Sequence, residues 1–234
     1  MQPLRPVSIT CTLALAFAAL PATPAAAAAK CFGKNPTIVG TGDDDRLRGT
    51  SGRDVIQARG GDDVILGGGG KDLLCGDAGD DRVSGGSGGD RISGGLDNDL
   101  LDGDRGDHLI RGVCGLDTLK PSGGTDDLDG GPGRDTLTFE GRPGPVRVDF
   151  ARGSATYVGA VLEVRRTENA IGSGADDVLR GSKRTERLFG EGGDDRLEGR
   201  GGNDRLEGDS GNDRADGGAG DDRCDAETEQ RCES

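Results

Sequence analysis

The chain has 234 residues, 46 of them glycine, with no tryptophan and 3% aromatic side chains, too little bulk for an ordinary globular core. Its formal net charge of −14 excludes a nucleic-acid partner, which needs a basic face, and argues against an anionic membrane surface. Cations are the partners that such a charge leaves.

Residues 1–29 read as a secretory signal peptide. Arg5 supplies the positive start, residues 7–20 are mostly apolar, and the run to Ala29 offers A-x-A cleavage sites. The apolar stretch is short and broken by Ser8, Thr10 and Thr12, which argues against a membrane anchor. Nothing downstream is apolar enough to insert in a membrane. The expected location is therefore secreted, or extracellular. Cleavage removes Cys11 and leaves Cys31, Cys75, Cys114, Cys224 and Cys232 in a compartment that permits disulfides. An odd number leaves at least one thiol free or paired between chains.

Residues 30–39 share the register of the repeats that begin at Gly40, with Ile38 in an apolar slot, but Pro36 stands where an acid would. They are expected to cap an array. From 40 to 138 the chain repeats every nine residues without a gap, in eleven units. Slot one is mostly glycine, slot four likewise, and slot eight is always aliphatic, from Leu47 to Leu137. Slot six is Asp45, Asp54, Asp63, Asp72, Asp81, Asp90, Asp99, Asp117, Asp126 and Asp135, with His108 as the exception. Slot five is mixed, as in Asp44, Arg53, Asp62 and Lys71.

Residues 139–171 break the period. Val146, Val148 and Phe150 alternate with Arg147 and Asp149, the signature of a strand. This insert is expected to be a β segment that continues the sheet. A second array of six units spans 172–225, with Asp177, Glu186, Asp195, Asp204, Asp213 and Asp222 in slot six. Residues 226–234 are expected to form a C-terminal cap. Cys224 and Cys232 are placed to pin that cap, and Cys31 and Cys75 to do the same at the other end. Cys114 is then left over, and other pairings stay open.

Each unit reads as a turn of about six residues and a strand of three. Turn glycines permit positive φ. In the strand, slot eight points inward and its neighbours outward. Two units make one coil, and coils stack about 4.8 Å apart by parallel pairing. The slot-six acids then line up in columns along each edge. Such columns repel unless a hard cation sits among them, and repeated turns supply the oxygen-rich, flexible shell that calcium takes. Magnesium wants stricter geometry, and zinc wants His or Cys clusters. One aliphatic per nine residues is little burial to set against chain ordering, so folding and cation binding are expected to be one event.

GTGDDDRLR, GGSGGDRIS and GGAGDDRCD resemble the RTX, or haemolysin-type, calcium-binding nonapeptide G-G-x-G-x-D-x-U-x. The resemblance covers both arrays. It implies an all-β, right-handed parallel β-roll, a β-solenoid that binds several Ca2+ ions between coils. Carried over by position, the ligands are Asp45, Asp54, Asp63, Asp72, Asp81, Asp90, Asp99, Asp117, Asp126, Asp135, Asp177, Asp195, Asp204, Asp213 and Asp222. His108 implies a weakened site, and the degenerate unit around Arg184 and Glu186 implies none. The N-terminal signal and the cysteines depart from the family's usual direct export.

The expected function is a secreted calcium-binding repeat protein with a structural or adhesive extracellular role and an unidentified cell-surface or matrix partner. It is not expected to be an enzyme: H-E-x-x-H is absent, and no non-repeat segment is long enough for a catalytic domain. Two alternatives stay open, a calcium-stabilised module of a secreted hydrolase system and an ice- or surface-binding solenoid. The latter needs a flat ladder of Thr or Asn along one edge, whereas slot three has no Thr and slot five is mixed.

Overall fold

The computed structural model describes residues 30–232, so the expected signal peptide lies outside them. All strands fall into a sheet of thirteen, a sheet of ten and a short pair, Gly69–Gly70 with Ser87–Gly88. Successive units alternate between the two large sheets. Arg46–Arg48, Val64–Leu66, Arg82–Ser84 and Leu100–Asp102 stack in the ten-stranded sheet, while Val55–Gly60, Leu73–Ala78, Arg91–Leu96 and Leu109–Val113 stack in the other. Pairing is parallel and joins positions 18 apart, Ile56 to Leu74 and Leu74 to Ile92. Two nonapeptides therefore make one coil, and the molecule is a parallel β-roll. No helix among the described residues is long and apolar enough to cross a membrane.

A three-residue strand can aim one side chain inward, and slot eight is that side chain. Ile56, Ile65, Leu74, Val83, Ile92, Leu101, Ile110, Leu119, Leu128 and Leu137 form one buried stack that continues through Leu179, Leu188, Leu197 and Leu206. Slots seven and nine point away from this stack, and at Val55, Leu73 and Cys75 they are buried instead against Cys31 and Phe32 of the N-terminal segment. The turns need left-handed backbone. At Gly70 φ is 125°, and an added methyl would sit 2.7 Å from the carbonyl oxygen of Gly52 in the coil before. Slot four is thus glycine because of both the φ and the close approach.

The insert begins with the expected strand, Val146–Asp149, but proceeds by antiparallel pairing. That strand pairs with Ser154–Tyr157, which pairs with Ala160–Arg165. The first strand also joins Val178–Arg180 of the second array, and the third joins Asp127–Asp129 of the first. The chain thus runs ahead, turns back and fills in. Phe139, Val146, Val148, Tyr157, Leu162 and Val164 extend the core there, with the rings of Phe139 and Tyr157 5.7 Å apart. On the other face only Asn169–Ile171 intervenes, between Thr136–Thr138 and Arg187–Phe189. One sheet gains two more strands than the other at this point.

At the N-terminal side Ile38–Val39 adds to the thirteen-stranded sheet, and Cys31 bonds Cys75. Phe32 covers that disulfide and lies under the Arg91 guanidinium, 4.7 Å away. At the other side Thr228–Gln230 pairs with Arg214–Ala219, and Cys224 bonds Cys232. In the chain-entropy account these bonds, spanning 44 and 8 residues, contribute about 4 and about 2.5 kcal/mol. None of the described cysteines is free, Cys114 included.

Candidate metal centres along the two edges

Slot-six side chains turn into the roll just before their strands begin. In the body of each array, the first oxygen accepts the backbone N–H of the slot-six residue one coil earlier. Asp63 donates to Asp81 Oδ1 at 2.9 Å, Asp72 to Asp90 Oδ1 at 2.8 Å, Asp99 to Asp117 Oδ1 at 3.0 Å and Asp204 to Asp222 Oδ1 at 2.8 Å. These bonds fix each carboxylate and lock the register between coils.

The second oxygen has no such partner. In Asp63, Asp72, Asp81, Asp90, Asp99, Asp117, Asp126, Asp135, Asp195, Asp204, Asp213 and Asp222, Oδ2 is buried with no hydrogen bond. A buried carboxylate oxygen without a partner is costly. Burial raises the pKa of these carboxyls: Asp99 to about 8, Asp81, Asp135, Asp195 and Asp204 to about 7, and Asp72 and Asp117 to about 6. Asp63, Asp90, Asp126 and Asp213 move the same way for the same reason. The metal-free column asks for a proton or another positive charge.

Slot-one glycines leave room for that charge. A methyl on Gly85 would lie 2.8 Å from Asp90 Oδ2 and 2.7 Å from the carbonyl oxygen of Gly103. No side chain fits there, so a carboxylate oxygen and a backbone oxygen face the same small space. Among the described residues, no three acidic, His or Cys side chains converge on one point. Any ion here must draw mainly on backbone carbonyls with one carboxylate per turn. That donor set suits an oxygen-seeking cation such as calcium and does not suit zinc.

Three of the fifteen expected ligands are bound differently. Thr41 N–H and Oγ1 donate to Asp45 Oδ2 at 2.6 and 2.9 Å, and Thr50 does the same to Asp54. Ser173 N–H donates to Asp177 Oδ2 at 2.5 Å and its hydroxyl to Oδ1 at 3.1 Å. A hydroxyl residue in slot two thus satisfies the acid from within its own turn. These units open the two arrays. Glu186, in the degenerate unit, is likewise held by the Ser182 hydroxyl, although its Oε2 stays unpartnered.

Register sorts the acids into two columns. Along the turns that lead into the ten-stranded sheet run Asp45, Asp63, Asp81, Asp99, Asp117, Asp135, Glu168, Glu186, Asp204 and Asp222. Along the opposite edge run Asp54, Asp72, Asp90, His108 and Asp126, then the insert, then Asp177, Asp195, Asp213 and Glu227. Glu168 and Glu227 are new: they accept the N–H of Asp135 at 3.1 Å and of Asp213 at 2.8 Å through Oε2. Glu168 had a signal in the sequence, an acid two residues before the inward Ala170. Glu227 had none, because its inward position is Glu229.

His108 keeps the column's register but changes its chemistry. Its Nδ1 accepts the N–H of Asp90 at 3.1 Å and its own N–H donates to Asp126 Oδ1 at 2.8 Å. The neutral ring's proton must then sit on Nε2, which is buried without a partner. Where its neighbours present a second oxygen, His108 presents an N–H.

A second ladder runs outside the first. Slot-five Asp44, Asp62, Asp80 and Asn98 each accept, through Oδ1, the slot-five N–H of the next coil, at 2.8–2.9 Å. The same ladder forms on the opposite edge wherever slot five is acidic, from Asp107 to the N–H of Thr125, from Asp176 to that of Asp194 and from Asp194 to that of Asn212, at 2.8–3.0 Å.

Residues 85–89, Gly-Gly-Ser-Gly-Gly, also match the spacing of a hydrolase nucleophile elbow. Ser87, however, lies in a repeat turn paired to Gly69–Gly70, not between a strand and a helix.

The family model for the RTX calcium-binding nonapeptide repeat matches residues 39–74, 76–107, 115–138, 171–206 and 198–228. The chain belongs to this RTX repeat family. The matched segments include every aspartate whose second oxygen is unpartnered. Asp63 and Asp72 fall in the first segment, Asp81 to Asp99 in the second, Asp117 to Asp135 in the third, and Asp195 to Asp222 in the last two. No curated protein matches the chain. As an RTX repeat protein, it binds calcium through its repeats.

Proposed function

We propose that this is a secreted calcium-binding β-roll whose folding is coupled to calcium, with a structural or adhesive role outside the cell and no catalytic activity of its own. The observation that carries the reading is the set of twelve buried aspartates whose second oxygen has no partner. Calcium bound between coils would supply the positive charge that these oxygens and the turn carbonyls require. The chain's own residues do the rest. Slot-six Oδ1 holds the register, slot-one glycine keeps the space open, and slot-eight aliphatics close the core.

In this reading Asp63, Asp72, Asp81, Asp90, Asp99, Asp117, Asp126, Asp135, Asp195, Asp204, Asp213 and Asp222 hold the ions. Asp45, Asp54 and Asp177 serve as caps closed by their own turns. Coupling is a thermodynamic consequence, since an ion that binds only the ordered turns stabilises the fold by mass action. The two disulfides fit an oxidising, extracellular setting. Far-ultraviolet circular dichroism of the chain lacking residues 1–29 tests the proposal. Millimolar calcium should raise β signal and a chelator should remove it; an unchanged spectrum would refute it.

A further inference from the structure

The insert and the degenerate unit are the two departures from the repeat, and they meet. Between the bend at 150–153, the end of Ala160–Arg165 and the turn at 182–184 lies a cleft of about 1060 Å³. Ligand pockets commonly hold about 300–1,000 Å³. Six of its lining residues are basic, Arg152, Arg165, Arg166, Lys183, Arg184 and Arg200, in a chain whose net charge is −14.

Several of these cations are engaged. Arg200 forks onto Asp149 with two bonds of 2.9 Å, Arg166 pairs with Asp129, and Arg165 pairs with Asp127 and Glu163. Three keep free donors. Arg152 reaches Asp149 only at 3.8 Å, on a carboxylate already taken by Arg200, and its side chain is 80% exposed. Arg184 uses one nitrogen on Glu168, at 3.2 Å. Lys183 is exposed on the same turn. The two acids in the lining are held by other side chains, Asp129 by Arg166 on the rim and Glu186, through Oε1, by the Ser182 hydroxyl.

The floor differs from the rim. Phe150, Ala151 and Val164 give an apolar surface. Beside them Thr167, 7% exposed, carries a buried hydroxyl with no hydrogen-bond partner. A ligand that suits this cleft has a flat, partly apolar body, hydroxyls, and anionic groups along one side. An acidic sugar fits: its ring covers the floor, a hydroxyl meets Thr167, and its carboxylate or sulfate meets the guanidinium forks.

We propose that this cleft binds an acidic oligosaccharide, with Arg152, Lys183 and Arg184 as its anion contacts. The inference does not depend on which acids hold calcium. It gives the roll a specific extracellular contact at the one place where the repeat is broken.

Isothermal titration of the calcium-loaded chain tests it with three short probes: an oligogalacturonate, a heparin-derived oligosaccharide and neutral cello-oligosaccharide. At least one acidic probe should bind at least tenfold more tightly than the neutral one, and more weakly as salt rises. Which acidic probe binds tells carboxylate from sulfate. The combined change Arg152→Gln, Lys183→Gln and Arg184→Gln should reduce that binding at least tenfold, with the dichroism and the calcium titration unchanged. Arg152→Gln alone, on an exposed bend, should lose a few-fold. Equal binding of neutral and acidic probes, no binding of either acidic probe at millimolar concentration, or full affinity in the variants would overturn the proposal. Because the calcium titration is read in parallel, failure here is distinguishable from failure of the calcium reading.

Discussion

The two edges of the roll are written in the same nine-residue unit, yet they differ. Along the edge that feeds the ten-stranded sheet, an acid stands at every coil from Asp45 to Asp222. The insert contributes Glu168 there, in register between Asp135 and Glu186. Along the other edge the column is altered at His108 and then lost, where Leu162 lies level with Asp126 and Val146 with Asp177. The difference shows that a metal column depends on register and not on composition. An insert that adds one strand in matching register to one face preserves the column on its side. One that adds a back-and-forth pair to the other face interrupts it.

Experiments can break or sharpen this contrast. The largest effect is expected on the continuous edge. Asp99→Asn with Asp117→Asn removes two neighbouring charged ligands, and the calcium concentration at half-folding should rise on the order of 100-fold, about 2.7 kcal/mol. The same change at Asp54, held by Thr50, should move it far less. Equal shifts at the two places would erase the distinction between ligand and cap.

Acidity comes next. In the metal-free roll burial holds the pKa of Asp99 at about 8 and those of Asp81, Asp135 and Asp204 at about 7, above the ordinary 3.8. Folding therefore takes up protons that the unfolded chain has released above about pH 4. Metal-free stability is fully present below the unfolded value and is lost as pH rises through about 6 to 8. Dichroism of the calcium-free chain should show more β structure near pH 4 than at pH 8. More structure at pH 8 would contradict the burial of these acids.

His108→Asp should restore an oxygen to the weaker edge. One more ion should be retained in native mass spectrometry, and the half-folding concentration should fall a few-fold. An unchanged ion count would mean that His108 is not what limits that edge. The smallest effect belongs to the cap. Thr50→Val removes one hydroxyl bond to Asp54 and should cost about 1 kcal/mol in thermal unfolding, with no change in the number of ions.

Much of this architecture was legible in the sequence, for a physical reason. A period of nine with one inward aliphatic admits few folds, so the core stack, the strands and the slot-six acids come from counting. What counting missed depends on which coil lies beside which. Glu168 is a column member only because 33 residues, not 18, separate it from its neighbour Asp135. The slot-five ladder emerges only when positions 18 apart are read together, Asp44 with Asp62 and Asp80 on one edge and Asp176 with Asp194 on the other. The antiparallel path of the insert was hidden because alternation marks a strand but not its direction. The caps were visible as Thr41, Thr50 and Ser173, yet a hydroxyl in slot two gains meaning only once its distance to the acid is known.

The most direct test of the central claim is a count of calcium ions on the chain lacking residues 1–29, by native mass spectrometry, beside the Asp99→Asn and Asp117→Asn variant. The account predicts several ions on the parent, fewer on the variant, and loss of β signal in step with loss of ions. An equal count on both chains, or a parent that keeps its β signal with no calcium bound at neutral pH, would contradict it.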